Sequence, residues 1–144
     1  MNNKINSDDL KGIKTIKDAV IYYIKYFEID MIESLLDDKK TYQDFPKFIF
    51  IQKLGNALHR FMKSGDNYLL TYKGKCNSEI CSIGCEGIRF IGQKSKLYMD
   101  LVFKIENESL IDIYECHQFK CLSPSVDFES KVFIDTKDLP TSLM

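Results

Sequence analysis

The sequence has little that breaks or unbalances a polypeptide. Of 144 residues only 7 are glycine and 3 are proline, which excludes collagen-like, linker-like and low-complexity architectures. Net charge is nearly absent as well: 20 lysines and arginines stand against 21 aspartates and glutamates, leaving -1. Such a balance excludes a nucleic-acid-coating surface and a polybasic membrane contact, so no nucleic acid and no membrane is expected as a partner. No apolar run reaches the length of a membrane span or a secretory leader, and the opening residues Met1 to Asp9 are polar. The expected location is cytoplasmic.

What is present is the material of a packed core. Hydrophobic residues make up 44% of the chain and aromatics 12%, and a chain this long buries roughly 70% of its unfolded surface. Residues 1–144 read as a single domain, with an ordered core over about 14–135 and a flexible lead over 1–13.

The first half carries helical periodicity. Thr15 with Asp18 three residues on is a start signal, and Ile16, Val20, Tyr23, Ile24 and Phe27 follow at three- and four-residue spacing, predicting a helix over 16–28. Asp30 with Glu33 opens a short second helix with Met31, Ile32, Leu35 and Leu36 as its stripe, and 39–44 reads as a loop or short edge strand. Pro46 suits the first turn of a third helix whose expected apolar face is Phe48, Ile51, Leu54, Leu58 and Phe61, with Gly65 as a left-handed stop. Beyond Tyr68 the period changes to two. Strands are predicted over 68–76, 87–91, 97–105, 110–119 and 131–135, and the short turns between them imply antiparallel neighbours. Leu97, Met99, Leu101, Phe103 and Ile105 share the face that must meet the helices. The opposite face carries Tyr98, Val102 and Tyr114 among Asp100, Lys104 and Asp112, a mixture that suits a homodimer interface centred on Tyr98 and Tyr114 as well as it suits water.

The run Phe27-Glu28-Ile29-Asp30-Met31-Ile32-Glu33-Ser34-Leu35-Leu36, then Thr41-Tyr42-Gln43-Asp44, the helix from Phe48 to Phe61 and the strand pairs after Tyr68 together resemble the nuclear transport factor 2-like superfamily over about 14–135. The resemblance is one of element order. It implies an α+β cone in which helices pack on a curved antiparallel sheet, an apolar pocket between the two layers, and frequently a dimer through the outer sheet face. Members include isomerase- and dehydratase-like enzymes, ligand-binding proteins and protein-binding domains, so the fold does not select among them.

Two constellations have chemical potential. All five cysteines lie in Cys76-Asn-Ser-Glu-Ile-Cys81-Ser-Ile-Gly-Cys85 and Cys116-His117-Gln-Phe-Lys-Cys121. Thiolates suit zinc, and Cys76, Cys81, Cys85 and Cys121 form a candidate ligand set, with Cys116 or His117 as alternative fourth ligands. Intervals of four, three and four residues are not those of paired zinc-finger ligands, and ordinary buried thiols or a disulfide are the competing readings. The second constellation is Glu115 with His117, two residues apart on the core-facing side, where a carboxylate and an imidazole can serve as base and acid, with Tyr42 as a polarising donor and Asp44 nearby. Its competing reading is that the strand has left the core there and both groups are solvated. His59 falls on the polar side of the third helix, and Gly84, Gly87 and Gly92 lack the context of a phosphate loop. The expectation is thus a small binding domain, for an apolar ligand inside or a protein partner on the outer sheet. The alternatives are an isomerase- or dehydratase-like enzyme and a structural zinc module.

Overall fold

The computed structural model describes residues 13–76, 85–116, 119–121 and 130–135, so the expected lead over 1–13 lies outside the description except for Ile13. The fold is α+β, with helices preceding an antiparallel sheet. Helix α1 spans Ile16–Lys25 and begins as expected: the Thr15 side chain accepts the Asp18 backbone N–H at 3.1 Å. It stops three residues short of the predicted end. Phe27 takes a left-handed φ of 62°, its N–H bonds the Ile24 carbonyl at 3.1 Å, and the Glu28 N–H reaches the Tyr23 carbonyl at 2.8 Å. This is a glycine-type helix stop built on phenylalanine, at a cost of about 1–2 kcal/mol for the left-handed backbone. The Phe27 ring stacks on Phe61 with centroids 6.5 Å apart, and that packing offsets the strain.

Helix α2, Ile29–Leu35, is followed by a hairpin of two-residue strands, β1 (Thr41–Tyr42) and β2 (Phe45–Pro46). The turn residues Gln43 and Asp44 both have positive φ, 53° and 63°, as a type I′ turn requires. Helix α3, Lys47–Lys63, buries Phe50, Leu54, Ala57, Leu58 and Phe61. Here the expected stripe needs correction, because Phe48 is 67% exposed and Phe50 takes its place. Phe48 lies six residues before Leu54, about 120° round the helix, whereas Phe50 lies only about 40° away. Gly65, at φ 98°, ends α3 with its N–H on the Met62 carbonyl and the Asp66 N–H on the Phe61 carbonyl.

The sheet runs in the order β6-β5-β4-β3-β7, all antiparallel, with β3 Leu69–Cys76, β4 Cys85–Gly92, β5 Tyr98–Glu106, β6 Ser109–Glu115 and β7 Phe119–Cys121. Its helix-facing side supplies Leu69, Ile88, Phe90, Met99, Leu101, Phe103 and Ile113 to one core with Val20, Ile24, Ile32, Phe50 and Phe61. The strand expected over 110–119 proves to be two. After Glu115 the chain leaves the β5 edge, and β7 reappears at the opposite edge, paired with Gly74–Cys76 of β3. The place beside Tyr98 that β6 vacates is taken by residues 130–132: the Tyr98 N–H bonds the Ser130 carbonyl and the Val132 N–H bonds the Tyr98 carbonyl. This is a single parallel bridge at Lys131, not the predicted strand over 131–135, although Val132 and Ile134 do enter the core.

One buried carboxylate ties the helix layer to the sheet. Asp66, 4% exposed just beyond α3, accepts the backbone N–H groups of Lys94 and Ser95, both at 2.8 Å, and the Ser95 hydroxyl at 2.6 Å. It lies so close to Gly92 that a β-carbon there would overlap the carboxylate and the Ser95 oxygen. Gly92→Ala is expected to destabilise the protein by about 2 kcal/mol through overpacking, read as a lower urea midpoint at unchanged m. Combined with Asp66→Ala it should cost clearly less than the two single losses together, since both act on one contact.

Candidate functional site

Of the acid–base candidates, Glu115 sits at the end of β6, beside the hairpin that carries Tyr42 and Asp44. The Gln43 turn is pressed against that strand: the Gln43 N–H bonds Asp112 Oδ1 at 3.0 Å, its side-chain amide donates to Glu115 Oε1 at 3.3 Å, and the Glu115 N–H bonds Gln43 Oε1 at 2.9 Å. Glu115, 6% exposed, also accepts the Asp135 N–H at 2.6 Å. Its carboxylate therefore joins three segments distant in sequence. Tyr42, expected as a polarising donor, is buried at 1% exposure against Phe50, with its hydroxyl accepting the Asp37 N–H at 3.0 Å. Burial raises its pKa. Asp44 is exposed in the turn, and His117 lies outside the described residues. Sequence reasoning missed Gln43. The signal was a two-residue gap between short strands, but it lacked the glycine that usually advertises such a turn.

The face away from the helices is not an open sheet. Asp100, 2% exposed, receives Arg89 in a two-pronged pair, Nε to Oδ1 at 2.7 Å and Nη2 to Oδ2 at 3.0 Å, and Lys131 Nζ stands 3.6 Å from Oδ2. The Arg89 guanidinium lies 4.6 Å from the centre of the Tyr98 ring. Val102 is buried, and Tyr98 and Tyr114, the expected dimer residues, are half-buried. Burial, followed by the Asp100 charge, raises the Tyr98 pKa.

Of the cysteines, Cys81 lies outside the described residues, and Cys76 and Cys121 are placed by backbone pairing, with Cys121 across from Gly74. Cys85 is half-buried with its sulfur 3.5 Å from the Tyr114 hydroxyl, and Cys116 is buried with its N–H on the Asp100 carbonyl. Among the described residues no group of three or more His, Cys, Asp and Glu side chains can hold a metal ion. No helix among them is long and apolar enough to cross a membrane.

Two clefts flank the start of α1. The larger, about 890 Å³, lies between Ile13–Asp18 and the β5–β6 hairpin and is walled by Ile13, Ile16, Ile105 and Leu110, with Lys14, Lys17, Asp18 and Glu108 also lining it. The smaller, about 320 Å³, lies between α1 and the β3–β4 ladder and is lined by Ile21, Tyr22 and Lys25 on the helix and Thr71, Tyr72, Lys73, Glu86 and Ile88 on the sheet. Ile13, Lys17 and Asp18 belong to both. Lys17 marks the divide: its Nζ is 2.8 Å from Glu86 and 3.6 Å from Asp18. Neither cleft is bordered by Glu115. No protein-family model, no curated protein and no solved structure matches the chain.

The acid at the Gln43 turn makes a pH prediction. Burial raises the Asp112 pKa above its ordinary 3.8 despite the N–H groups of Gln43 and Ile113 that it accepts. The native state thus holds this proton more tightly than the unfolded chain. Its contribution to stability is complete below the ordinary value and is lost as pH rises through the raised one. Asp112→Asn keeps the accepting oxygen and removes the charge. The melting temperature of the variant relative to the parent should therefore rise between pH 4 and pH 7, followed by calorimetry.

Proposed function

We infer that this chain is a binding domain for a small amphipathic molecule, held in the 890 Å³ cleft between the start of α1 and the β5–β6 hairpin. The observation that carries the reading is the wall of that cleft. Ile16, 47% exposed on the first turn of α1, faces into a concavity with Ile13, Ile105 and Leu110 rather than into the core. A concave volume of this size that sets four aliphatic side chains beside four charged ones, Lys14, Lys17, Asp18 and Glu108, suits a molecule with an apolar body and a polar end. Its place between helices and sheet is where the nuclear transport factor 2-like resemblance expects a pocket, and the α+β order of elements supports that kinship. The space beneath α3 is different in kind, being filled by Phe50, Leu54, Leu58, Phe61 and the facing strand residues.

The test is a titration of the full chain with long-chain carboxylates and with an environment-sensitive apolar dye. Saturable one-to-one binding is expected, weakened at least tenfold by Ile16→Trp, which fills the cleft from an exposed position and should leave the melting temperature unchanged. Absence of saturable binding to the parent, or identical affinity in the variant, defeats the reading. An isomerase- or dehydratase-type enzyme built on Glu115 has less support, because that carboxylate is engaged by Gln43 and Asp135 and borders neither cleft.

A structural zinc module is a second and compatible reading, favoured by one observation: the β3–β7 pairing brings the second cysteine stretch back to the end of β3, with Cys121 across from Gly74 and Cys76 across from Phe119. Protein purified without chelator should then carry near-stoichiometric zinc by elemental analysis, with thiols unreactive until chelator is added. Metal-free protein with five titratable thiols removes the module.

A further inference from the structure

We propose that the face of α2 and α3 turned away from the sheet binds a second copy of this chain, seated head to tail about a two-fold axis. The inference stands apart from the small-ligand reading, since no residue of α2 or α3 lines either cleft.

An exposed apolar stripe is the first observation. Helical geometry brings Phe48, Gln52, His59, Met62 and Lys63 of α3 within about 100° of one another, and all five are exposed. Phe48 is 67% exposed and Met62 43%, and they stand about 21 Å apart along the helix axis. Neither serves the core, which takes Phe50, Leu54, Leu58 and Phe61 from the other side of α3.

Charge is the second observation, and it selects the occupant. α2 lies along the first half of α3 and runs against it: the Ile29 side chain is 3.6 Å from where a β-carbon on Gly55 would stand, and Lys47 Nζ bonds the Leu36 carbonyl at 3.0 Å. With Ile29 against α3 and Ile32 in the core, Asp30 and Glu33 fall on the solvent side of α2, and both are exposed. The last turn of α3 carries Arg60 and Lys63, also exposed. Among the described residues none of these four charges is in an ion pair. The helix layer is thus acidic beside the start of α3 and basic at its end. In a two-fold contact each residue meets its counterpart reciprocally, so turning one copy round sets each acidic half on the other's basic half and brings the Phe48 of each toward the Met62 of the other. A different protein would have to bring that pattern, whereas a second copy already carries it. The net charge of -1 leaves little general repulsion between copies. This surface is not the outer sheet face, where Tyr98 and Tyr114 are half-buried.

Sedimentation and native mass spectrometry of the full chain over a hundredfold range of concentration should show monomers passing to dimers. Arg60→Glu with Lys63→Glu makes both halves acidic, and Asp30→Lys with Glu33→Lys makes both basic. Each double variant alone should stay monomeric at concentrations where the parent is dimeric, and an equimolar mixture should form dimers holding one chain of each. Phe48→Ser, at a position the core does not use, should weaken the dimer at least tenfold with the melting temperature of the dilute protein retained. A parent that stays monomeric throughout overturns the proposal. So does a dimer of unchanged strength in Phe48→Ser, whatever the charge variants do, and so do charge-reversed variants, folded by circular dichroism, that fail to pair when mixed.

Discussion

The buried ion pair between Arg89 and Asp100 is the point on which the sheet is organised. The two residues face each other in the β4–β5 register on the side away from the helices, so the pair clamps the two central strands where no helix packs. The backbone of Asp100 holds the chain as it leaves β6, through the Cys116 N–H, and its carboxylate draws in Lys131 of the segment that follows β7. Removing either charge would strand the other in a dry site, where an uncompensated ion is far more costly than the pair is stabilising. The pair is therefore best understood as fixing register. A slip of one residue would carry Asp100 to the helix side, into the place of Met99 or Leu101.

On the helix side the layers are joined through backbone positions that resist ordinary residues. Phe27, Gln43 and Asp44 hold left-handed conformations without being glycine, and each is kept there by a contact remote in sequence or by a hairpin that demands it. Gln43 is the most economical of these. A single side chain bonds both the backbone and the carboxylate of Glu115, and so closes the exposed edge of β6 much as another strand would. The same carboxylate then accepts the Asp135 N–H, so the β1–β2 hairpin and residues 130–135 share one anchor.

Much of this was legible in the sequence wherever periodicity decided it. The Thr15 cap, the left-handed Gly65 and the alternation of Met99, Leu101 and Phe103 all follow from local rules, and β3, β4 and β5 fall within two residues of expectation. What was not legible depends on partners far along the chain. Phe27 ends α1 because Phe61 is there to stack on it, and no composition rule marks phenylalanine as a helix stop. Phe48 and Phe50 are equally apolar, and only the azimuth at which α3 meets the sheet separates the exposed ring from the buried one. The break between β6 and β7 at Cys116 was hard to place because the two-residue parity of Ile111 and Ile113 continues through Glu115, His117 and Phe119, while residues 130–132 claim the place beside Tyr98. Glu115 and Tyr42 kept their chemical character but not their setting, since each is engaged in holding backbone.

The clefts arise from a mismatch of lengths rather than from any one residue. Helix α1 has 10 residues and so spans about 15 Å, whereas β5 has 9 and extends about 30 Å. A helix this short cannot roof the strands it lies across, and the sheet runs on past it toward Ile105 and Leu110 on one side and toward Thr71 and Glu86 on the other. Filling those ends would need bulky side chains at the start of α1. The chain instead places Ile13, Ile16 and Lys17 there, and sets Lys17 against Glu86 so that one ion pair props the helix away from the sheet. One short helix laid across a longer sheet thus leaves a cleft on either side of its first turn, and Ile13, Lys17 and Asp18 form the wall that the two share.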